Sequence, residues 1–191
     1  MLYRKALTFL DSWKDRKNRK PLVIRGARQT GKSTLVRMFA EKHGLDLFEI
    51  NFEENPDHKS LFQTNDIEAI ILMLEIQFRR KIVPDRSCIF LDEIQNHPRV
   101  LQTLRYFYEK QPRLLVIAAG SLLEFLLEDH SFSMPVGRIE YLLLGPMTYE
   151  EFLLADSQSS LLEFLESVDP VKPIPDAIHQ TAIRALQSLL R

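Results

Sequence analysis

One cysteine among 191 residues, Cys88, leaves no partner for an intramolecular disulfide and fits a reducing compartment. It sits inside an apolar strand pattern, which reads as a buried, inert thiol. Glycine is scarce as well: there are six, and two of them, Gly26 and Gly31, fall close together. No apolar run is long enough to span a bilayer and no signal peptide is recognisable, so the chain reads as cytoplasmic, with no membrane partner. A net charge of −1 supplies no field to recruit nucleic acid or an anionic surface. The histidines (His43, His58, His97, His130 and His179) are scattered without metal-ligand spacing, and no chemistry is assigned to them. What remains is the ordinary apolar and charged content of a soluble domain able to bury one sizeable core.

The two neighbouring glycines open the main argument. Leu22, Val23 and Ile24 form a short apolar run that reads as a buried strand, and an apolar-periodic helix begins near Lys32. Between them, Gly26, Gly31, Lys32 and Ser33 fit the spacing G-x-x-x-x-G-K-[ST] of a phosphate-binding loop, in the strand–loop–helix context that loop requires. The residue types follow from the task. Glycines let the backbone turn and approach an anion, and successive N–H groups at a helix N-terminus favour negative charge. The cradle is Gly26, Ala27, Arg28, Gln29, Thr30, Gly31, Lys32, Ser33 and Thr34. Lys32 would reach the β- and γ-phosphates, and the Ser33 hydroxyl would ligate Mg²⁺.

The rest of the chain alternates. An amphipathic helix over residues 2–15 is followed by a basic run from Lys14 to Lys20, read as a solvated helix end and linker, with nucleic-acid contact as the sharper alternative. After the loop come a helix to about residue 43, a strand at 47–52, and a helix capped by Asp66. A strand at 87–93, a helix opened by Pro98, a strand at 114–119 and a helix opened by Gly120 and Ser121 follow. A fifth strand spans 139–144. Continuously apolar strands alternating with helices predict an α/β fold, a five-stranded parallel sheet sandwiched by helices. Beyond Gly145 only helices are predicted, with Thr148 and Glu151 forming a capping box and Asp176 capping the last. The domain reading is therefore 1–21 for the helix and basic linker, 22–146 for the core, and 147–191 for a small all-helical segment that looks cut short.

Ligands bind at the C-terminal edge of parallel sheets, and three pieces of sequence converge there. Asp92 ends an apolar strand and fits a Walker B acid that helps hold Mg²⁺. Glu93 is the candidate base for the water attacking the γ-phosphate. Gln95 either orients that water or reports on nucleotide state, and is equally a plain loop residue. Ser121 is a candidate γ-phosphate sensor and equally a helix N-cap. Arg138 is a candidate arginine finger acting on a neighbouring subunit, with a surface arginine as the alternative. Arg25, Arg28, Arg99, Arg105 and Arg113 are weaker rivals.

Taken together, Arg25 to Thr34, Leu91-Asp-Glu-Ile-Gln95, Ala119-Gly-Ser121, Gly137-Arg138 and Leu144 to Phe152 resemble the prokaryotic AAA-type P-loop ATPases related to the archaeal ATPases. The resemblance implies a P-loop NTPase core with a helical lid and ATP as the nucleotide, since no guanine-reading Asn-Lys-x-Asp stretch occurs. It assigns Lys32 and Ser33 to phosphate and Mg²⁺, Asp92 to Walker B, Glu93 to catalysis, Ser121 to the first sensor and Arg138 to the finger. It also implies transient homo-oligomers, nucleic acid as a partner, and a C-terminal effector region lying mostly beyond this chain. Two readings stand: an Mg²⁺-dependent ATPase driving a conformational change in that region, or a nucleotide-dependent switch with little or no turnover. A small-molecule kinase is more remote, because Glu93 suits water activation.

Overall fold

A computed structural model describes residues 4–121, 137–169 and 171–190. Two compact units divide the chain: Ala6–Gly145, and Pro146–Arg191 together with the first residues to Lys5.

The larger unit is built on strands β1 (Leu22–Arg25), β2 (Asp46–Asn51), β3 (Ser87–Asp92), β4 (Leu115–Gly120) and β5 (Glu140–Leu143). They form one parallel sheet in the order β2-β3-β4-β1-β5. Alternation along the strands sorts their side chains onto two faces. On one face Val23, Ile89, Leu91, Val116 and Ala118 pack against Ile70 and Leu74 of α3 (Ile67–Phe78) and Leu101 and Leu104 of α4 (Val100–Lys110). On the other, Leu22, Ile24, Cys88, Phe90 and Ile117 meet Leu10 and Trp13 of α1 (Lys5–Lys14) and Leu35, Val36 and Phe39 of α2 (Lys32–Lys42). Burial on both faces is why the interiors of β1 (Leu22–Ile24), β3 (Cys88–Leu91) and β4 are apolar. Asp66 caps α3 as expected, accepting from the backbone N–H groups of Glu68 and Ala69.

Two local expectations are corrected in this unit. β5 is an edge strand with one neighbour, so Tyr141 and Leu143 are exposed where a buried strand was expected. The run from Lys14 to Lys20 is not uniformly solvated. Arg19 is buried, its guanidinium donating to the Lys14 and Arg113 carbonyls and pairing with Asp85, while Lys17 stays exposed. The end of α1 offers this guanidinium the Lys14 carbonyl and the Trp13 ring face, and the segment after α4 offers the Arg113 carbonyl. The helix expected to open at Gly120 and Ser121 lies outside the described residues beyond Ser121.

The smaller unit holds α5 (Tyr149–Ala155), α6 (Ser159–Ser167) and α7 (Asp176–Leu189). Its capping box forms: the Thr148 hydroxyl accepts from Glu151 N–H at 3.2 Å and the Glu151 carboxylate accepts from Thr148 N–H at 3.0 Å. Glu151 also pairs with Arg4 at 3.3 Å and accepts from Lys5 N–H at 2.7 Å. The Tyr149 hydroxyl donates to the Ala182 carbonyl, joining α5 to α7. Asp176 does not cap α7. Pro175 holds the cap position with extended backbone, and Asp176 falls in the first turn, where its charge suits the helix dipole. No helix among the described residues is long and apolar enough to cross a membrane.

Candidate nucleotide site

Gly26 follows the last residue of β1 and is fixed by crowding. A β-carbon there would lie 2.1 Å from the carbonyl oxygen of Leu144, just past β5. The loop then turns through Gln29, at φ 63°, and Gly31, at φ 85°, before entering α2. The Thr30 hydroxyl donates to the Ala27 carbonyl at 3.0 Å, bracing the turn from inside. Gly31 occupies the N-cap of α2 without a side-chain cap, so the start of this eleven-residue helix presents backbone N–H groups rather than a capping oxygen.

Lys32 is buried, with Nζ donating to the carbonyls of Gly26 at 3.1 Å and Ala27 at 2.7 Å. Burial lowers its pKa, against the opposing pull of Glu93 and Asp92. Ser33 Oγ donates to Asp92 Oδ2 at 2.5 Å, tying the phosphate loop to the end of β3. Asp92 is itself buried, and burial pushes its pKa up while the Ser33 hydroxyl and the Glu93 N–H, 2.9 Å from Oδ1, act to keep it ionised. A buried carboxylate beside a hydroxyl is a hard-oxygen pair of the kind Mg²⁺ takes, and a divalent cation would offset the cost of its burial.

Glu93 has left-handed backbone, φ 53° and ψ 45°, and begins a single turn of 3-10 helix over Ile94–Asn96. Asn51 stands in register with Asp92 across β2 and β3. Its Oδ1 accepts from the N–H groups of Glu53 at 2.9 Å and Glu54 at 3.1 Å, setting the course of the chain beyond β2. Arg37 on α2 makes a two-pronged contact with Glu49, at 2.9 and 2.6 Å, which raises its pKa. These elements enclose a cleft of about 690 Å³ lined by Gln29, Lys32, Ser33, Asn51, Asp92 and Glu93, among others. That volume lies within the range of ligand pockets, roughly 300–1,000 Å³.

A strand, a glycine-braced loop, a buried lysine at the start of a helix and a serine joined to a strand-end aspartate now stand together, and an AAA domain model matches residues 18–153. The chain belongs to the AAA domain family. No curated protein matches it significantly. Among solved structures, Drosophila ORC bound to DNA is similar with a TM-score of 0.51 at 19% identity, over 85% of this chain and 48% of that one. A Walker-type ATPase of Pyrococcus abyssi is similar with a TM-score of 0.52 at 17% identity, over 89% of this chain and 60% of that one. The chain therefore spans about half to three-fifths of those two structures. They share its fold, and the family is that of the AAA-type P-loop ATPases.

Within this AAA domain the structure groups the sequence candidates unevenly. Gln29, Gly31, Lys32, Ser33, Thr34, Asp92 and Glu93 line one cleft. Gly26, Ala27 and Thr30 shape the loop behind it. Arg28 reaches Glu53 at 3.3 Å on the loop after β2. Ser121 is buried directly after β4, whose last residue Gly120 is in register with Arg25. Arg138 does not line the cleft; it pairs with Glu109 at 3.5 Å and lies over the Tyr108 ring. Of its rivals, Arg25 stacks on Tyr141, while Arg105 and Arg113 pair with Glu109 and Asp85. Sequence reasoning missed Arg37, Asn51, Glu53 and Glu54 on the cleft wall. Arg37 lies four residues after Ser33, one turn along the same face of α2, and Asn51 ends a strand at the same sheet edge as Asp92. Both signals were available from spacing.

Proposed function

We propose that this chain binds ATP with Mg²⁺ and hydrolyses it, and that the cycle drives a conformational change in a C-terminal effector region. The observation that carries the reading is the 2.5 Å contact between Ser33 and Asp92, which joins the loop that would hold phosphate to the strand end that would hold metal. Lys32 leaves its loop carbonyls for the β- and γ-phosphates. Ser33 and Asp92 would hold Mg²⁺, which would supply positive charge against that developing on the phosphoryl oxygens. Glu93 takes the proton of the attacking water. Ser121 senses the γ-phosphate from the end of β4. Arg138 acts as a finger on a neighbouring subunit, in line with its absence from the cleft of its own chain.

On this reading 1–21 is an N-terminal helix and linker, 22–146 the catalytic core and 147–191 the helical lid. Homo-oligomers form transiently, and DNA is the candidate load suggested by the DNA-bound Drosophila structure. The alternative, a nucleotide switch with little turnover, is favoured by one observation. Arg37, the arginine lining the cleft among the described residues, is already committed to Glu49.

Calorimetric titration with ATP, with and without Mg²⁺, tests the binding half of the proposal. Asp92→Asn should abolish the Mg²⁺-dependent gain in affinity and leave the metal-free affinity within about twofold. Equal affinities with and without metal in the wild type contradict the assignment. Turnover per molecule that rises with protein concentration, and ceases to do so in Arg138→Ala, supports the trans finger; the same rise in that variant removes it.

A further inference from the structure

The segment after Asp92 carries two local costs side by side. Glu93 adopts left-handed backbone although it is not glycine. Two residues on, the Gln95 amide donates through Nε2 to Glu93 Oε2, while its own Oε1 is buried with no hydrogen-bond partner among the described residues. Orphaned buried acceptors are uncommon in folded proteins and call for a reason. The carboxylate, being acceptor-only when ionised, fixes which end of the amide faces it.

The turn between them is rigid. Ile94 is fully buried, Asn96 N–H donates to the Glu93 carbonyl at 3.0 Å, and His97 N–H donates to the Ile94 carbonyl at 2.9 Å. Among the described residues the side chain of Gln95 has one polar partner, and that partner is the residue proposed as the base. Among the described residues only one carboxylate oxygen is engaged in a hydrogen bond, and Oε1 of Glu93 remains for the cleft that Glu93 lines.

We propose that Gln95 is a positioning residue that holds the Glu93 carboxylate by Oε2 and so presents Oε1 to the attacking water. This rests on the ATPase reading above and goes beyond it in assigning an orienting partner to the base. Outer hydrogen-bond partners of metal ligands are worth about 10- to 100-fold, and a partner that fixes a carboxylate base is expected to act on the same scale. The strained Glu93 backbone and the unpaired amide oxygen then both serve one contact.

The test is steady-state turnover of the full chain as wild type, Glu93→Gln, Gln95→Met, Gln95→Glu and the double variant Glu93→Gln/Gln95→Met, with ATP affinity and melting temperature measured in parallel. Gln95→Met and Gln95→Glu should each lower kcat at least tenfold while KM, ATP affinity and melting temperature change little. The double variant should lose no more than Glu93→Gln alone, because the two residues act as a unit. A second readout needs no nucleotide: the Gln95 side-chain amide resonance of the ligand-free protein should move upfield in Glu93→Ala as its hydrogen bond is lost. Gln95 variants with wild-type or raised kcat, an additive loss in the double variant, or an unmoved resonance overturn the inference while wild-type turnover and its loss in Glu93→Gln leave the ATPase reading standing. A wild type without turnover fails the parent reading, and the positioning role with it.

Discussion

Gly26 and the Leu144 carbonyl touch so closely that a β-carbon at Gly26 would stand 2.1 Å from the Leu144 oxygen. The phosphate loop is thereby seated against the segment that leaves the edge strand, and Leu144 N–H in turn donates to the Arg25 carbonyl at 2.7 Å. Both partners are backbone, so neither can yield by a rotamer change. Gly26→Ala should destabilise the protein by roughly 1–3 kcal/mol, as overpacking does. It should also weaken ATP binding at least tenfold. Urea unfolding and ATP titration check both, and an alanine variant with wild-type values would place the loop away from Leu144.

Cys88 lies in the middle of the sheet, fully buried, with its thiol pushed up to about 12 by desolvation. A neutral, inaccessible thiol is a poor nucleophile. It should resist a thiol-specific reagent for hours in native buffer at pH 8 and react fully in denaturant. Rapid native labelling would mean that the sheet opens.

Arg19 should behave as a core residue. Removing it leaves the Lys14 and Arg113 carbonyls without their donor and uncovers Trp13. Arg19→Ala should cost about 2–3 kcal/mol, against less than ~0.5 for the exposed Lys17→Ala. Chemical unfolding of the two variants separates a structural guanidinium from a solvated basic run.

Much of this molecule could be read from its residues, because burial on both faces leaves a plain mark. β1, β3 and β4 each carry an apolar run through their interior, and neighbouring positions such as Ile89 and Phe90 divide between the two core layers. The phosphate loop was legible for another reason: Gly26, Gly31, Lys32 and Ser33 are constrained by chemistry at fixed spacing. What escaped depends on tertiary neighbours. The exposure of Leu143 follows from an edge position that its apolar sequence does not reveal. Arg19 is buried because the Arg113 carbonyl and Asp85, both distant in sequence, meet it beside Trp13. Asp176 sits one residue too late to cap, since Pro175 takes the turn. Arg37, one turn beyond Ser33 on α2, and Asn51, at the end of a strand on the same sheet edge as Asp92, were open to the same reasoning from spacing.

Glu75 closes the C-terminal end of α3, accepting from Lys81 at 2.6 Å and from Ile82 N–H at 2.9 Å, and these bonds hold its carboxyl below the ordinary range. A depressed folded pKa gives stability that is fully present above the unfolded value of about 4.3 and is lost as pH falls through the folded value. Glu75→Gln should therefore be less stable than wild type at pH 6, with the gap narrowing as pH drops toward 3. Urea midpoints across that interval provide the check, and a gap independent of pH would show that the carboxylate charge contributes nothing.

The central claim is that one cleft both binds ATP and carries the base that turns it over. Phosphate release from Mg²⁺–ATP by wild type, Lys32→Ala and Glu93→Gln, with ATP affinity measured alongside, tests it most directly. The account predicts slow release by the wild type, loss of both affinity and release in Lys32→Ala, and retained affinity with at least a hundredfold slower release in Glu93→Gln. Tight binding by the wild type with no release, or release unchanged in Glu93→Gln, would contradict it.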